Sequence, residues 1–327
     1  MADLLPLYVG IDVASASFEA SIEGTSYPGL PNEPTGFERL RALLPPAAHV
    51  VMEFTGVYSL GLATDLFERG IPVSVVNPLS VKRYAQSRLT RTKTDAADAR
   101  LLAEYGAFYR PPQWQPQAAH FQQIRQLHAL LAQYRKQHTA LMNLAHQQAR
   151  QVVATPTVEA SLKASLDHLQ AQIKVLDDQI LSLMKTHHAG LFETLSSIPG
   201  LGPVSITLLL TLTNALEGFE TANQLIAYAG LAPLIHDSGT SVHKAARICR
   251  MGSAPLRKAL YVAAWSARRF NPPCKVLYER LLARGKARKQ ALVAVMTKLL
   301  KQAFAVAKSG IPFDKNYLPT KFSAAQT

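Results

Sequence analysis

The sequence predicts an α/β domain followed by an all-α region, and three observations support this fold class. Over the first hundred residues, strand-like and helix-like patterns alternate in the order βββαβαβα. Between residues 118 and 187, apolar residues recur at alternating spacings of three and four. From Leu191 onward the pattern is mostly helical and basic residues accumulate. With 327 residues, 48% of them hydrophobic, the chain is long enough for two packed domains.

The first three strands are predicted to form a meander near the start of the chain. Alternating apolar residues mark the first two of them: Leu7, Val9 and Ile11, then Phe18, Ala20 and Ile22. Asp12 ends the first strand, and a short third strand surrounds Tyr27. A helix around 37–44, the apolar strand 50–52 with Glu53 at its end, a helix at 57–69 and a strand at 71–76 follow. The last helical stretch carries Asp95 and Asp98.

A proline-rich segment after Tyr109, RPPQWQP, predicts a linker that closes a first domain at residues 1–110. Residues 118–187 are predicted to form two helices that pack as a coiled coil, with His138 fixing its register. The seam residues are Ile124, Leu127, Leu131, Tyr134, His138, Leu141 and Ala145, then Leu162, Leu166, Leu169, Ile173, Leu176, Ile180 and Leu183. The spacing leaves open whether the helices pair with each other or with another copy of the chain.

Residues 191–327 are predicted to form a basic helical domain. Its segment IPGLGP, at 198–203, precedes an apolar helix and is typical of a helix-hairpin-helix, in which glycines let backbone N–H groups approach a phosphate. A glycine turn between two core helices explains the same segment equally well.

The net charge of +13 favours a polyanionic partner, either nucleic acid or an acidic membrane. Residues 1–190 hold 17 basic and 16 acidic residues, whereas residues 191–327 hold 18 and 6, so the basic surface belongs to the C-terminal part. No hydrophobic run reaches the roughly 18 residues of a membrane span, and the N-terminus lacks the order of a signal peptide. The sequence thus predicts a cytoplasmic protein without membrane contact. Cys249 and Cys274 form no CxxC motif and are expected to be packing residues.

Four carboxylates are the candidate catalytic residues of the first domain. Asp12 and Glu53 end strands of the same predicted sheet, and Asp95 and Asp98 lie on one helical face. Gathered carboxylates repel each other, so a hard cation, Mg²⁺ or Mn²⁺, is the natural reason to cluster them. Two such ions about 4 Å apart hold both the attacking and the leaving oxygen of a phosphodiester. Each residue taken alone also has a structural alternative: Asp12 as a turn cap, Glu53 as a solvated strand end and Asp95 as a helix N-cap.

Three segments surround these carboxylates: YVGIDVA, VVMEFTGVY and RTKTDAADARLLA. They resemble the RuvC-like, ribonuclease-H-fold domain of the DEDD insertion-sequence transposases, a family that includes the Piv-type DNA invertases. Two later segments resemble that family's second, transposase domain: IPGLGPVSITLLL and QLIAYAGLAPLIHDSGTSVHKAARICRMGSAPLRKAL. A coiled coil between the halves is also a family feature. The resemblance covers nearly the whole chain and implies a DNA recombinase whose four carboxylates coordinate divalent metal.

The resemblance also implies a serine in the second domain that attacks the DNA backbone and forms a covalent phosphoserine link. It places this role on Ser238, in a loop expected after the helix 223–228, with Ser241 as the reserve candidate. A serine hydroxyl is a weak nucleophile that needs a base or a metal, so the two halves are expected to meet around one phosphate. Five nearby cations are expected to contact phosphates: Lys244, Arg247, Arg250, Arg257 and Lys258. The alternative is that they form a solvated basic face.

The sequence departs from the family near these cations. Where members commonly carry a polar residue and then a Gly-Asn or Gly-Asp pair, this chain has Cys249 and Gly252–Ser253. The difference affects the detailed contacts of this segment and leaves the class of protein unchanged.

Several partners follow from the resemblance. Donor and target DNA are implied as substrates, and a structured non-coding bridge RNA is implied as the guide that pairs with them. The coiled coil predicts a homo-oligomer, a dimer or a tetramer. Two other classes of function fit parts of the sequence: a metal-dependent, structure-selective nuclease, which needs no Ser238, and a non-catalytic nucleic-acid-binding protein, which does not need the carboxylates.

Overall fold

The computed structural model describes residues 6–89, 94–153, 155–234, 237–238, 242–243, 247–249 and 251–315. The chain divides into two compact units, Met1–Gln117 and Ala118–Thr327. The first unit is built on a sheet, whereas the second is mainly helical.

A five-stranded mixed sheet forms the centre of the first unit, in the order β3-β2-β1-β4-β5. The first three strands pair antiparallel, which confirms the predicted meander. On the other side of β1, β4 pairs with it in parallel, and β5 pairs in parallel with β4. The strands are β1 (Leu7–Val13), β2 (Ser17–Ile22), β3 (Thr25–Pro31), β4 (Ala48–Glu53) and β5 (Val73–Val76).

Four helices complete the first unit: α1 (Pro34–Leu43), α2 (Val57–Glu68), α3 (Pro78–Ser87) and α4 (Asp95–Tyr109). Where the sequence predicted one final helical stretch, there are two helices. One face of the sheet packs with α1 and α2 through residues such as Ile11, Leu40 and Leu62. The other face packs with α3 and α4 through residues such as Val51 and Leu102.

Helix α4 lies directly against β1 because Gly10 has no side chain. A Cβ atom at Gly10 would lie 1.9 Å from the carbonyl oxygen of Ala99 and 2.4 Å from the backbone nitrogen of Ala103. Further along, a Cβ at Gly106 would lie 2.7 Å from side-chain atoms of Tyr8 and Val51. Helix α4 therefore runs antiparallel to β1, and its N-terminus lies towards the carboxyl end of that strand.

The variant Gly10→Ala is expected to lower the free energy of unfolding of the first unit by about 3 kcal/mol or more, because the methyl group would overlap backbone atoms that cannot rotate away. Urea denaturation followed by circular dichroism measures this change. The matched control is Gly61→Ala in α2, where the new Cβ would lie 3.7 Å from Phe37. Because alanine favours helix over glycine by about 1 kcal/mol, this control should become more stable. Equal unfolding midpoints for the two variants would contradict the assigned role of Gly10.

The second unit contains seven helices among its described residues and two small two-stranded sheets. The helices are α5 (Ala119–Gln148), α6 (Pro156–Ser196), α7 (Pro203–Thr213), α8 (Ala222–Tyr228), α9 (Ala254–Phe270), α10 (Pro272–Ala283) and α11 (Arg288–Ser309). Between α8 and α9 lie β6 (Pro233–Leu234), β7 (Asp237–Ser238), β8 (Val242–His243) and β9 (Arg247–Ile248).

Helices α5 and α6 of the same chain pack on each other. Every seam residue named above is buried or half-buried, and Arg135 of α5 donates to Asp177 of α6 at 2.7 Å. Helix α6 is kinked at His188, where the backbone angles are non-helical, so it consists of two helical segments, and both share a core with α7–α11. The helical hairpin and the C-terminal helices are therefore parts of one compact unit.

The turn between α6 and α7 contains the glycines of IPGLGP. Gly200 has φ +104° and lies so close to α9 that a Cβ would be 2.6 Å from the Cβ of Ala267. Ile198 and Leu201 are buried beside it. The close packing of α9 thus explains why position 200 requires glycine, and no bound phosphate is needed for that explanation. Gly202 precedes α7 and has open space around it.

Helix α11 is long and apolar enough, by length and composition alone, to cross a membrane. This differs from the expectation that no hydrophobic run reaches the length of a membrane span. Its apolar side packs in the core of the second unit through residues such as Leu292, Leu299 and Ala303, which are fully buried. Burial in the core of the second unit therefore explains why α11 is apolar.

Both cysteines are free. Cys274 is buried in the same core, as predicted, and burial raises the pKa of its thiol to about 12. Cys249 is half-buried, and its backbone N–H donates to the carbonyl of Ala232 at 2.9 Å.

Candidate active site

Asp12 and Glu53 lie side by side at the carboxyl ends of two adjacent parallel strands. The pairing of β1 with β4 runs to Ile11 opposite Met52, so Asp12 and Glu53 occupy the next position. Neighbouring strands are about 4.8 Å apart. Side chains alternate along each strand, which puts Asp12 on the same face as Gly10, and Glu53 on the same face as Val51. That is the face covered by α4.

Asp95 and Asp98 lie in the first turn of α4, the end of that helix nearest the carboxyl end of β1. Asp98 directly precedes Ala99, the residue against which Gly10 packs. The N-cap is Thr94, whose hydroxyl accepts from the N–H of Ala97 at 3.2 Å, so the alternative of Asp95 as the N-cap is wrong. Asp98 is half-buried and Asp95 is exposed. The backbone therefore directs all four carboxylates to one end of the sheet.

This donor set suits a hard divalent cation, because carboxylate oxygens are the ligands that Mg²⁺ and Mn²⁺ prefer. The partial positive charge of the α4 N-terminus already favours Asp95 and Asp98 by roughly 0.3–1 kcal/mol each, which is a purely structural reason for their presence. Among the described residues, no three His, Cys, Asp or Glu side chains are close enough together to hold a metal ion. The backbone brings the four positions to the same end of the sheet, which is the placement that a carboxylate metal site requires.

Two residues that the sequence analysis did not single out position this end of the sheet. Gly10 sets the distance between α4 and β1. Asn32, directly after β3, links the end of β1 to the start of α2, since its side-chain amide donates to the carbonyls of Ala14 and Tyr58 at 2.9 and 3.0 Å. A glycine inside an otherwise apolar strand was the available signal for Gly10. Nothing in the sequence distinguishes Asn32 from an ordinary turn residue.

Ser238 lies in a short β-strand rather than in the predicted loop. Its strand, β7, pairs antiparallel with β8, with Ser238 opposite Val242. The segment leaves and rejoins the helical core through β6 and β9, where Pro233 pairs with Ile248 and Leu234 with Arg247. We call residues 233–248 the serine hairpin. Ser241, Lys244 and Arg250 lie outside the described residues.

Contacts at the base of the serine hairpin explain Gly252 and Arg257. Gly252 has φ +137°, and a Cβ there would lie 2.2 Å from the carbonyl oxygen of Tyr228. The guanidinium of Arg257 donates to the carbonyls of Ala229 and Gly252 at 3.0 and 3.1 Å. Arg257 thus ties the AGLAP turn to the start of α9, which is a structural role for a residue that the sequence predicts to contact phosphate.

Ser253 accounts for the departure from the family pattern. It is the N-cap of α9, and its hydroxyl accepts from the N–H of Leu256 at 3.3 Å. Serine, asparagine and aspartate all favour this position because each has a side-chain oxygen that accepts from the first turn. Gly252–Ser253 can therefore take the same backbone role as Gly-Asn or Gly-Asp.

Of the remaining cations, Lys258 is exposed on α9, whereas Arg247 is placed only by its backbone in β9. If these cations contact phosphates, DNA affinity should fall with salt at a log–log slope of about −0.9 per neutralised phosphate. In the full chain, Lys258→Gln should make that slope shallower by about 0.9. Lys163→Gln, which removes an exposed charge on α6, is the control and should leave it unchanged. Fluorescence anisotropy at several salt concentrations measures the slope, and a flat salt response would reject this phosphate-binding surface.

Comparison with known families gives two matches: one begins in the first unit and extends into the helical hairpin of the second, and the other lies wholly in the second unit. Residues 9–155 match a family described as transposase, of the DEDD type of IS110. Residues 192–279 match the transposase IS116/IS110/IS902 family. The first match contains all four carboxylates, and the second contains Ser238 and the five cations.

Individual relatives extend the similarity over most of the chain. Pilin gene-inverting proteins of Moraxella bovis and Moraxella lacunata are each 36% identical over 324 residues, which cover 94% of this chain and 98% of theirs. An uncharacterized 43.6 kDa protein of insertion element IS110 from Streptomyces coelicolor is 34% identical over 153 residues, 47% of this chain and 37% of that protein.

Proposed function

Because the chain belongs to the IS110-type family of transposases, which here includes pilin gene-inverting proteins, we propose that it cleaves and rejoins DNA by a two-part active site. One part is the set of carboxylates at the end of the sheet, and the other is Ser238. The observation that carries the proposal is the placement of Asp12, Glu53, Asp95 and Asp98 at one end of a sheet that is consistent with a ribonuclease-H-like domain.

The four carboxylates would hold Mg²⁺ or Mn²⁺. When bound there, such an ion polarises phosphate oxygens and neutralises the charge that develops on them. The chain's own contribution is geometric: Gly10 lets α4 approach β1, and Asn32 links the end of β1 to the start of α2. Both contributions would hold the backbone that carries the carboxylates.

Ser238 would supply the nucleophile. Its Oγ attacks the scissile phosphorus, an Oγ–P bond forms, and one P–O bond to the DNA strand breaks. The hydroxyl proton leaves to a base, and the departing DNA oxygen takes up a proton. A new DNA hydroxyl then attacks the phosphoserine and releases the serine, so the phosphodiester count is conserved without an external energy source.

Hydrogen bonds at the base of the serine hairpin support this role for Ser238. Arg257, Gly252 and the pairing of β6 with β9 hold both ends of the hairpin on α8 and α9. A nucleophile carried on an anchored segment is easier to position than one on a free loop, and positioning lowers the barrier to attack.

We also propose the partners that the family resemblance implies: donor and target DNA, a structured non-coding RNA as guide, and a homo-oligomer formed through α5 and α6 of several copies. Strand exchange between two duplexes requires several active sites at once, which favours an oligomer. The proposed location is the cytoplasm, where the DNA is. Sequencing the RNA that copurifies with the chain tests the guide.

One experiment separates the proposed recombinase from the two other classes. The purified chain is incubated with supercoiled plasmid that carries the ends of its element, in Mg²⁺ and in chelator, with and without the copurifying RNA. A recombinase gives rejoined products, a nuclease gives only cut DNA, and a binding protein gives neither. Rejoined products that depend on metal support the proposal, whereas cut or unchanged plasmid under every condition overturns it.

A further inference from the structure

Helix α9 has an exposed face that combines basic and aromatic side chains. Its 17 residues include four basic residues and no acidic residue. The inner side is formed by Leu260, Ala263, Ala264 and Ala267, which are buried in the core. The outer side carries Lys258, Val262, Trp265 and Arg269, at spacings of four, three and four, all of them exposed. Val262 is 65% exposed and Trp265 is 45% exposed.

Trp265 is held in place by Arg268. The guanidinium carbon of Arg268 lies 4.5 Å from the ring centre of Trp265 and 5.4 Å from that of Tyr278 on α10. Tyr261 meets Trp265 edge to face, with ring centres 6.5 Å apart. These contacts fix the orientation of the indole at little entropic cost to a ligand, since the side chain is already ordered.

One polar atom in this cluster has no partner. The Nε of Arg268 is buried and makes no hydrogen bond within the part of the chain that the structure describes. A buried donor of this kind is costly unless a ligand or water satisfies it. It therefore marks the surroundings of Arg268, beside the ring of Trp265, as a place where a hydrogen-bond acceptor is missing.

We propose that this face of α9 binds unpaired DNA, with a base stacked on Trp265 and phosphates at Lys258 and Arg269. The two cations lie about 10 Å and 6 Å from Trp265 along the helix axis, on opposite sides, which suits a strand that follows the helix. Bases in a duplex are covered on both faces, so only an unpaired base offers its face to an indole. The assignment to DNA rests on the proposed function, since strand exchange exposes unpaired substrate strands.

The charge of α9 favours this ligand over a protein surface. A nucleic-acid groove combines cations for the backbone with aromatic side chains for the bases, which is the composition of this face. An apolar partner would leave Lys258 and Arg269 without counter-charges on its surface.

The test uses the full chain in chelator, so that neither metal nor recombination is needed. The chain has two tryptophans, Trp114 and Trp265, and Trp114→Phe leaves the fluorescence of Trp265 alone to be followed. We expect a single-stranded oligothymidine to quench it, and a duplex hairpin of equal charge to quench it much less. Trp265→Ala in the otherwise native chain should weaken single-strand affinity about fivefold or more, and duplex affinity little, since each stacked base contributes about 1–3 kcal/mol.

Two variants keep the test sharp. Trp265→Phe retains a ring and should lose less affinity than Trp265→Ala, and Val262→Ala, on the same face, should lose almost none. Equal losses for single strand and duplex, or absence of quenching in the Trp114→Phe chain, would overturn the proposal. Tighter Trp265-dependent binding of single-stranded RNA would overturn the choice of DNA. A changed oligomeric state of Trp265→Ala with unchanged single-strand affinity would show a protein interface instead.

The outcome is separate from that of the plasmid reaction. Single-strand binding that depends on Trp265 in a chain that never rejoins DNA would refute the proposed function and leave this site standing. Rejoined products from a chain whose Trp265 fluorescence does not change with single-stranded DNA would support the proposed function and refute the binding site on α9.

Discussion

Replacing Asp12, Glu53, Asp95 or Asp98 by alanine is expected to lower the recombination rate by at least about a thousandfold, equivalent to roughly 4 kcal/mol of lost transition-state stabilisation. Each change removes one carboxylate from the end of the sheet where the backbone places all four positions. The folded state should lose no more than about 1 kcal/mol, because relief of repulsion between carboxylates offsets the lost favourable charge at the α4 N-terminus. Product formation on plasmid DNA in Mg²⁺ and the urea midpoint measure the two effects.

Glu68→Ala is the matched control for these four variants. Glu68 is an exposed carboxylate on α2 of the same unit, and its removal should change neither recombination nor stability. A chelator should abolish recombination by the native chain, and added Mg²⁺ or Mn²⁺ should restore it. If three of the four alanine variants recombine DNA at the native rate in Mg²⁺, the metal-site assignment is wrong.

The variant Ser238→Ala is expected to abolish recombination and the covalent protein–DNA adduct while retaining DNA binding. In the native chain, a stalled reaction should contain protein joined to a DNA end by a phosphoserine bond. That adduct would survive denaturation and disappear after protease treatment. Its physical basis is that recombination must conserve the broken phosphodiester for rejoining, and a serine ester stores it during strand exchange.

Peptide mapping of the adduct identifies the nucleophile. An adduct on Ser241 would move the nucleophile by three positions and keep the mechanism. Ser182→Ala, which changes an exposed serine on α6, is the control and should form the adduct normally. Rejoined product without any adduct would remove the serine mechanism and favour water as the nucleophile.

The sequence by itself determined the elements of the first unit and their order. Alternation of apolar residues specified the meander, and the run at 50–52 specified the parallel strand beside it, because a strand's burial pattern is local to that strand. The sequence pattern also predicted the seam residues of α5 and α6, since they recur on one helical face. The family was recognisable from short segments around the carboxylates and the serine, and the relatives bear it out.

Only the tertiary structure decided which residues hold these elements together. Gly10 is required by Ala99 and Ala103, and Gly200 by Ala267, so neither requirement is visible in the neighbouring sequence. Helix α4 begins at the cap of Thr94, and the boundary predicted near residue 190 coincides with the kink of α6 at His188 but does not separate two compact units, because both sides share one core. A local pattern reports which face of an element is buried. The element that buries it is fixed by contacts between residues far apart in the chain, and packing alone selects them.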